Sequence, residues 1–191
     1  MKAAENQENI ERQLISRLTQ GDAAAVDELV ERYADGVYRF VYHQVGGLAQ
    51  DAEDIVQETF VAALNGIHRF RGDSKLRTWL FSIAAHKVAD LRRRVGRRPE
   101  TVPLDEASSL QAEGQHPEQA IENLEARQRV RQALLRLPPH YRTALVLKYV
   151  QDMQGREICQ VMQRSEKSVE SILVRARRLL SKILEDGHDR A

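Results

Sequence analysis

Asp51-Ala52-Glu53-Asp54-Ile55-Val56-Gln57-Glu58-Thr59-Phe60, continuing through Val61-Ala62-Ala63-Leu64, is the stretch whose reading decides the fold. Placed on a helix at about 100° per residue, Val56, Phe60, Ala63, Leu64 and Ile67 gather on one side and Asp51, Asp54 and Glu58 on the other. The spacing predicts a helix with a core face and an acid face. Asp51 is placed to cap it, with Asp54 three residues on in a capping-box-like position, and acids in a first turn complement the helix dipole. That role fades after the first turn and leaves Gln57 and Glu58 unexplained. A polar stripe that runs past the cap is either a solvated face or a docking surface.

Outward from this helix, composition predicts an all-α protein. Of 191 residues, 30% are charged and 5% aromatic, and alternating β-branched runs are nearly absent. The formal charge of +1 conceals a segmental pattern. Asp22 to Glu58 holds nine acids against Arg32 and Arg39, whereas Arg69 to Arg98 holds ten basic residues against Asp73 and Asp90. Pro99 to Ala120 then has five acids and no Lys or Arg, and from Ile121 onward fourteen basic residues face nine acids. The basic blocks suit a polyanion and the acidic blocks do not, so the chain has two kinds of partner.

A single cysteine, Cys159, excludes an internal disulfide framework and fits a reducing compartment. The six histidines are dispersed without metal-ligand spacing, so no metal site and no cofactor is expected. The N-terminal Met1-Lys2-Ala3-Ala4-Glu5-Asn6 lacks an apolar signal core and no run approaches a membrane span, which predicts a soluble intracellular protein without membrane insertion.

In chain order, residues up to about Asn9 read as disordered, and Leu14, Ile15 and Leu18 mark a helix over Ile10–Gln20. Gly21-Asp22 reads as a stop and an N-cap. Val26, Leu29, Val30, Tyr33, Val37, Phe40, Val41 and Val45 sustain a stripe that Gly46-Gly47 breaks. After the acid-faced helix comes a turn-rich loop with basic flanks, Arg69-Phe70-Arg71-Gly72-Asp73-Ser74. From Leu76 a second helix buries Leu80, Phe81, Ala84, Val88 and Leu91 and turns Trp79, His86, Asp90 and Arg93 the other way, with Lys87 and Arg94 at the edge. Trp79 is either a sideways-packed core aromatic or a stacking platform for unpaired bases, whose phosphates Arg and Lys would hold.

Pro99 to Pro117 contains three of the five prolines and little to build a core, which marks a linker. Beyond it, Ile121 to Leu137 and Tyr141 to Val150 read as helices separated by Pro138-Pro139. Gln154–Met162 and a longer helix from Glu166, joined by Gln163-Arg164-Ser165, have the form of a helix-turn-helix with Cys159 as a small buried residue and Ser165 as an N-cap. In the second of these helices Val169, Ile172, Leu173, Ala176, Leu180 and Ile183 form the apolar stripe, opposite Glu170, Ser171, Val174 and Arg178. Such a pattern suits base edges near the helix start and phosphates further along, although many αα-hairpins share it.

The 51–60 stretch, Phe70-Arg71-Gly72-Asp73-Ser74 with Thr78-Trp79-Leu80, and Leu137-Pro138-Pro139-His140-Tyr141-Arg142 ahead of the helix-turn-helix together resemble the extracytoplasmic-function group of bacterial RNA polymerase sigma factors, over nearly the whole chain. The resemblance implies two small helical domains joined by a flexible acidic linker: residues 10–97 binding core polymerase and the −10 element, a linker over 98–120, and residues 121–186 binding the −35 element through the helix-turn-helix. It implies that Asp51, Asp54, Gln57 and Glu58 dock on the β′ clamp helices, with further contact to the β subunit. It assigns the −10 region to Arg69, Arg71, Ser74, Lys75, Arg77, Trp79, His86, Lys87, Arg93 and Arg94, and the −35 region to Lys167, Ser168, Ser171, Arg175 and Arg178. The acidic linker would thread the RNA exit channel. The implied partners are core RNA polymerase, promoter DNA and an anti-sigma factor. The implied location is the cytoplasm, with retention at the inner membrane if the anti-sigma factor is membrane-bound. Catalysis would belong to the polymerase, with no active site in this chain.

Three positions depart from the family pattern: Gln163 stands in the turn where Gly is common, Glu170 replaces a frequent Lys, and Ile172 stands where Arg is usual. A stand-alone helix-turn-helix regulator would explain the C-terminal domain but leaves the acid helix and the Trp-bearing basic helix without a role. An adaptor protein would leave both basic surfaces unexplained, and no nucleophile, base and oxyanion set or phosphate loop points to an enzyme.

Overall fold

Gly21 and Asp22 set the first corner of the chain. Gly21 takes a φ of +77°, a left-handed conformation open to a residue without Cβ. The Asp22 carboxylate accepts from the Ala24 N–H at 2.9 Å and so satisfies an orphan donor at the start of the next helix. Arg17 ties the corner down, donating to Asp22 and to Glu28 at 2.7 Å each.

The computed structural model describes the backbone of residues 2–95 and 117–188 and the side chains of residues 8–95 and 125–186. Within those residues there are helices and no strands. The N-terminal domain comprises α1 (Lys2–Thr19), α2 (Ala23–Gln44), α3 (Ala49–Gly66), a 3₁₀ turn (Ile67–Arg69) and α4 (Leu76–Val95). The C-terminal domain comprises α5 (Pro117–Leu135), α6 (Pro139–Leu145) with a π turn (Val146–Val150), α7 (Gly155–Met162) and α8 (Glu166–His188). The expected linker falls between them, mostly outside the described residues.

Several local readings are corrected. The α1 backbone is helical back to Lys2, well before Ile10, and α5 begins at Pro117 instead of Ile121; a proline at the first helical position loses no hydrogen bond. Asp51 does not cap α3. The chain leaves Gly46-Gly47, both with φ +85°, and enters the helix at once, so Leu48 is the N-cap and Asp51 lies inside the first turn. There its charge still complements the dipole. The buried side of α3 is Ala52, Ile55, Thr59, Phe60 and Ala63, rotated from the expected stripe because Thr59 buries at no loss by donating its hydroxyl to the Ile55 carbonyl at 2.7 Å. Val56 and Leu64 are half-buried, and Val30 of the α2 stripe is exposed.

Helices α2, α3 and α4 pack on one another, with α1 against α2. Phe40 and Phe81 meet edge-on at their centre, ring centroids 5.5 Å apart. In the C-terminal domain Gln154 and Glu157 form a reciprocal capping box that starts α7. Gln163 closes that helix in the left-handed conformation, φ 52° and ψ 49°, as the turn requires of a residue that is not Gly. The Ser168 N–H points to the Ser165 hydroxyl at 3.4 Å, as expected of that N-cap. Cys159 is half-buried instead of fully enclosed, and burial, followed by the charges of Glu166 and Glu170, raises its thiol pKa. Because left-handed backbone disfavours a Cβ, Gln163→Gly is expected to stabilise the protein by roughly 0.5–1 kcal/mol in denaturant unfolding.

The two domains share a core. One apolar cluster runs from Leu14, Phe40 and Leu80 into Val146, Leu147, Met153, Ile158 and Val161 of the C-terminal domain. A second cluster, with Leu134, Leu137, Leu145 and Ala176, stays within that domain.

Candidate protein and nucleic-acid interfaces

The acid side of α3 is an open groove. Asp54, Gln57 and Glu58 line it with Val61, Ala62, Asn65 and Lys87, while Asp51 sits half-buried one turn earlier. Sequence reading missed Val61, which is 52% exposed between polar neighbours; its place off the buried stripe was the available signal. Lys87, expected at the −10 surface, reaches across to Glu58 at 3.0 Å. A pair this exposed contributes about 0–1 kcal/mol, so a partner can exchange it at little loss.

Helix α4 divides the basic residues between two sides. Trp79, His86, Arg93 and Arg94 lie along one side, and Arg77 lies about 160° away from Trp79 at helical spacing. Trp79 is half-buried. Its ring rests on Phe70, centroids 5.1 Å apart, and lies 3.5 Å from where a Cβ on Gly66 would stand. It is thus anchored against the end of α3 while retaining exposed surface. Arg69 and Arg71 are exposed on the turn and loop before α4 and Ser74 is half-buried; His86 bonds back to the Ser82 carbonyl and Arg93 pairs with Asp90. The structure therefore leaves Arg69, Arg71, His86, Arg93 and Arg94 exposed and Trp79 half-buried.

Lys75 and Arg77 are placed differently. Lys75 pairs with Glu157 of α7 at 2.9 Å, and Arg77 donates to the Gln151 carbonyl while its guanidinium lies 5.4 Å above the Phe81 ring. Both face the C-terminal domain. Burial works to raise the Glu157 carboxyl, but the Gln154 N–H and Lys75 outweigh it and hold it below the ordinary range. On α8, Lys167, Arg175 and Arg178 are exposed and Ser168 and Ser171 half-buried, with Glu170 and Val174 exposed among them. Ile172 is buried, so the departure from a family Arg serves packing.

Residues 29–98 match the family model for Sigma-70 region 2, and residues 127–180 match that for Sigma-70 region 4. The chain is 33% identical over 181 residues to the ECF RNA polymerase sigma factor SigW of Bacillus subtilis, covering 90% of this chain and 95% of SigW. The chain belongs to the ECF sigma factors of RNA polymerase. It is also 33% identical over 171 residues to the ECF RNA polymerase sigma-E factor of Escherichia coli, covering 86% and 88% of the two chains. Among solved structures it resembles CnrH in complex with the cytosolic domain of CnrY, with a TM-score of 0.69 and 28% identity over 92% of this chain and 97% of that one. As a sigma factor the chain acts in transcription initiation, with core RNA polymerase and promoter DNA as partners. None of the described helices is long and apolar enough to cross a membrane.

Proposed function

We propose that this ECF sigma factor divides promoter recognition among three surfaces. The α3 groove with Asp51, Asp54, Gln57, Glu58 and exposed Val61 docks on the polymerase β′ clamp helices. The face carrying Arg69, Arg71, Trp79, His86, Arg93 and Arg94, joined by Ser74, Lys75, Arg77 and Lys87, holds and opens the −10 element. The α8 face with Lys167, Ser168, Ser171, Arg175 and Arg178 reads the −35 duplex. The observation that carries this reading is the groove: a carboxylate-lined surface with an exposed valine on one helix, beside a Trp anchored on the next helix among arginines. Carboxylates repel DNA phosphates and suit a protein partner, whereas an aromatic ring among arginines suits unpaired bases. The chain itself is not an enzyme, works in the cytoplasm, and leaves catalysis to the polymerase.

The −10 and −35 surfaces are expected to separate on premelted templates. Trp79→Ala weakens open-complex formation on duplex promoters, and the defect shrinks on templates already unpaired at the −10 element, where the melting cost is gone. Arg175→Ala shows no such relief, because a lost duplex base contact costs about 1–3 kcal/mol on either template. Equal Trp79→Ala defects on both templates, measured by open-complex footprinting, would assign Trp79 to packing against Phe70.

A further inference from the structure

Two exposed residues of α8, Val174 and Glu170, have no use in its folding. Lys167, Val174 and Arg178 fall along one line of the helix, opposite the buried Val169, Ile172, Ala176 and Ile183. Val174 is 41% exposed there. A β-branched side chain loses rotamer freedom in a helix, and at that exposure burial returns little of it. Glu170 stands one turn earlier, also exposed, on the side of α8 toward α7, where its charge reaches the Cys159 thiol and raises it. It is the fifth residue of the helix, past the first turn in which a carboxylate complements the dipole. The residues four positions away are Glu166 and Val174, so no i,i+4 ion pair is available. Lys167, three positions before it, makes none, and among the described residues no cation pairs with Glu170.

The major groove of DNA gives both residues a use. A carboxylate only accepts hydrogen bonds. In that groove guanine shows only acceptors, thymine an acceptor and a methyl, and adenine an N7 acceptor beside its N6 donor; cytosine shows its N4 donor with no acceptor beside it on the same base. Glu170 therefore suits cytosine. The apolar group of the groove is the C5-methyl of thymine, and Val174 suits it. Lys167 and Arg178, on the line of Val174, supply the positive charge that holds a phosphate backbone against a face carrying a carboxylate. Four residues span about 6 Å of helix axis, less than two base-pair steps of about 3.4 Å each, so the two bases lie within two base pairs of each other.

We propose that Glu170 and Val174 set the −35 preference of this chain: Glu170 accepts from the N4 amine of a cytosine, and Val174 packs on the methyl of a thymine within two base pairs of it. The proposal rests on the reading of α8 as the −35 helix and adds to it the two residues that choose the bases. A Lys at position 170 would donate to the O6 and N7 of guanine; Glu170 reverses that choice.

The test uses holoenzyme assembled from the full chain and core polymerase, with a duplex promoter fragment that supports run-off transcription and whose −35 block is randomised. The fragments that wild-type holoenzyme retains are expected to share a cytosine and a thymine no more than two base pairs apart. Deoxyuridine in place of that thymine removes only the methyl and is expected to weaken wild-type binding about three- to fivefold, with Val174→Ala holoenzyme binding both fragments alike. Glu170→Gln is expected to move the preference at the cytosine to adenine, whose N6 and N7 a glutamine amide pairs, by at least about fivefold, leaving the other positions unchanged. Wild-type binding that ignores the methyl overturns the proposal, whether or not the variants fold. So does a Glu170→Gln holoenzyme that binds every fragment more tightly by one common factor, which would leave Glu170 a solvated charge. Retention without any base preference in the −35 block, by holoenzyme that still requires its −10 element, would instead overturn the reading of α8 as the −35 helix.

Discussion

Asp54→Arg combined with Glu58→Arg is expected to abolish binding of core polymerase while leaving the circular dichroism and melting temperature close to those of the natural chain. Both side chains lie on the groove side of α3, opposite Ala52, Ile55, Thr59 and Ala63, so neither replacement enters the core. Like charges brought face to face across an interface cost several kcal/mol, and the loss of affinity should exceed about 100-fold. Lys87 would face an arginine instead of Glu58, adding a local repulsion small enough at that exposure to leave folding intact. Pull-down with tagged core polymerase reads the result directly. Normal capture of the double variant would remove the docking role from this groove.

Phe60→Ala acts through stability instead. Phe60 is two residues from Glu58 on the same helix but 6% exposed within the cluster that both domains share. Truncating a buried phenylalanine removes its transfer free energy and leaves a cavity that the neighbours fill incompletely, at a cost of about 3–5 kcal/mol. Against a typical stability of about 5–15 kcal/mol that is a large fraction. Denaturant unfolding should show the midpoint drop, with polymerase binding lost in proportion to the unfolded population. The contrast separates the two sides of α3: charge reversal on one removes binding without stability, and truncation on the other removes stability first. Unchanged unfolding of Phe60→Ala would contradict the placement of the core.

Much of this was legible in the sequence because it is periodic or local. The acid side of α3, the Gly21-Asp22 corner, the buried side of α4 and the helix-turn-helix with its Ser165 cap all follow from spacing and capping chemistry over a few residues. The misplaced Asp51 cap was a local reading as well, and it failed because Gly46-Gly47 lets the chain enter the helix three residues earlier, with Leu48 as the N-cap. Thr59 was left off the buried side because its polarity hides a hydroxyl that bonds within its own helix. The contacts between the two domains were not legible. Gln44 and Arg142, which donates to its carbonyl, stand 98 positions apart, and Lys75 and Glu157 stand 82 apart; no periodicity links such pairs. A basic residue reads the same in sequence whether it awaits a phosphate, as Arg71 does in this account, or already holds a carboxylate, as Lys75 does.

Run-off transcription with purified core polymerase on a library of promoter fragments is the decisive measurement for a sigma factor. Specific transcripts are expected only when this chain is added, from templates sharing two sequence elements, and are expected to vanish with the Asp54→Arg, Glu58→Arg protein. Sequence-specific DNA binding without any polymerase-dependent transcript would contradict that expectation and would mark the chain as a stand-alone helix-turn-helix regulator.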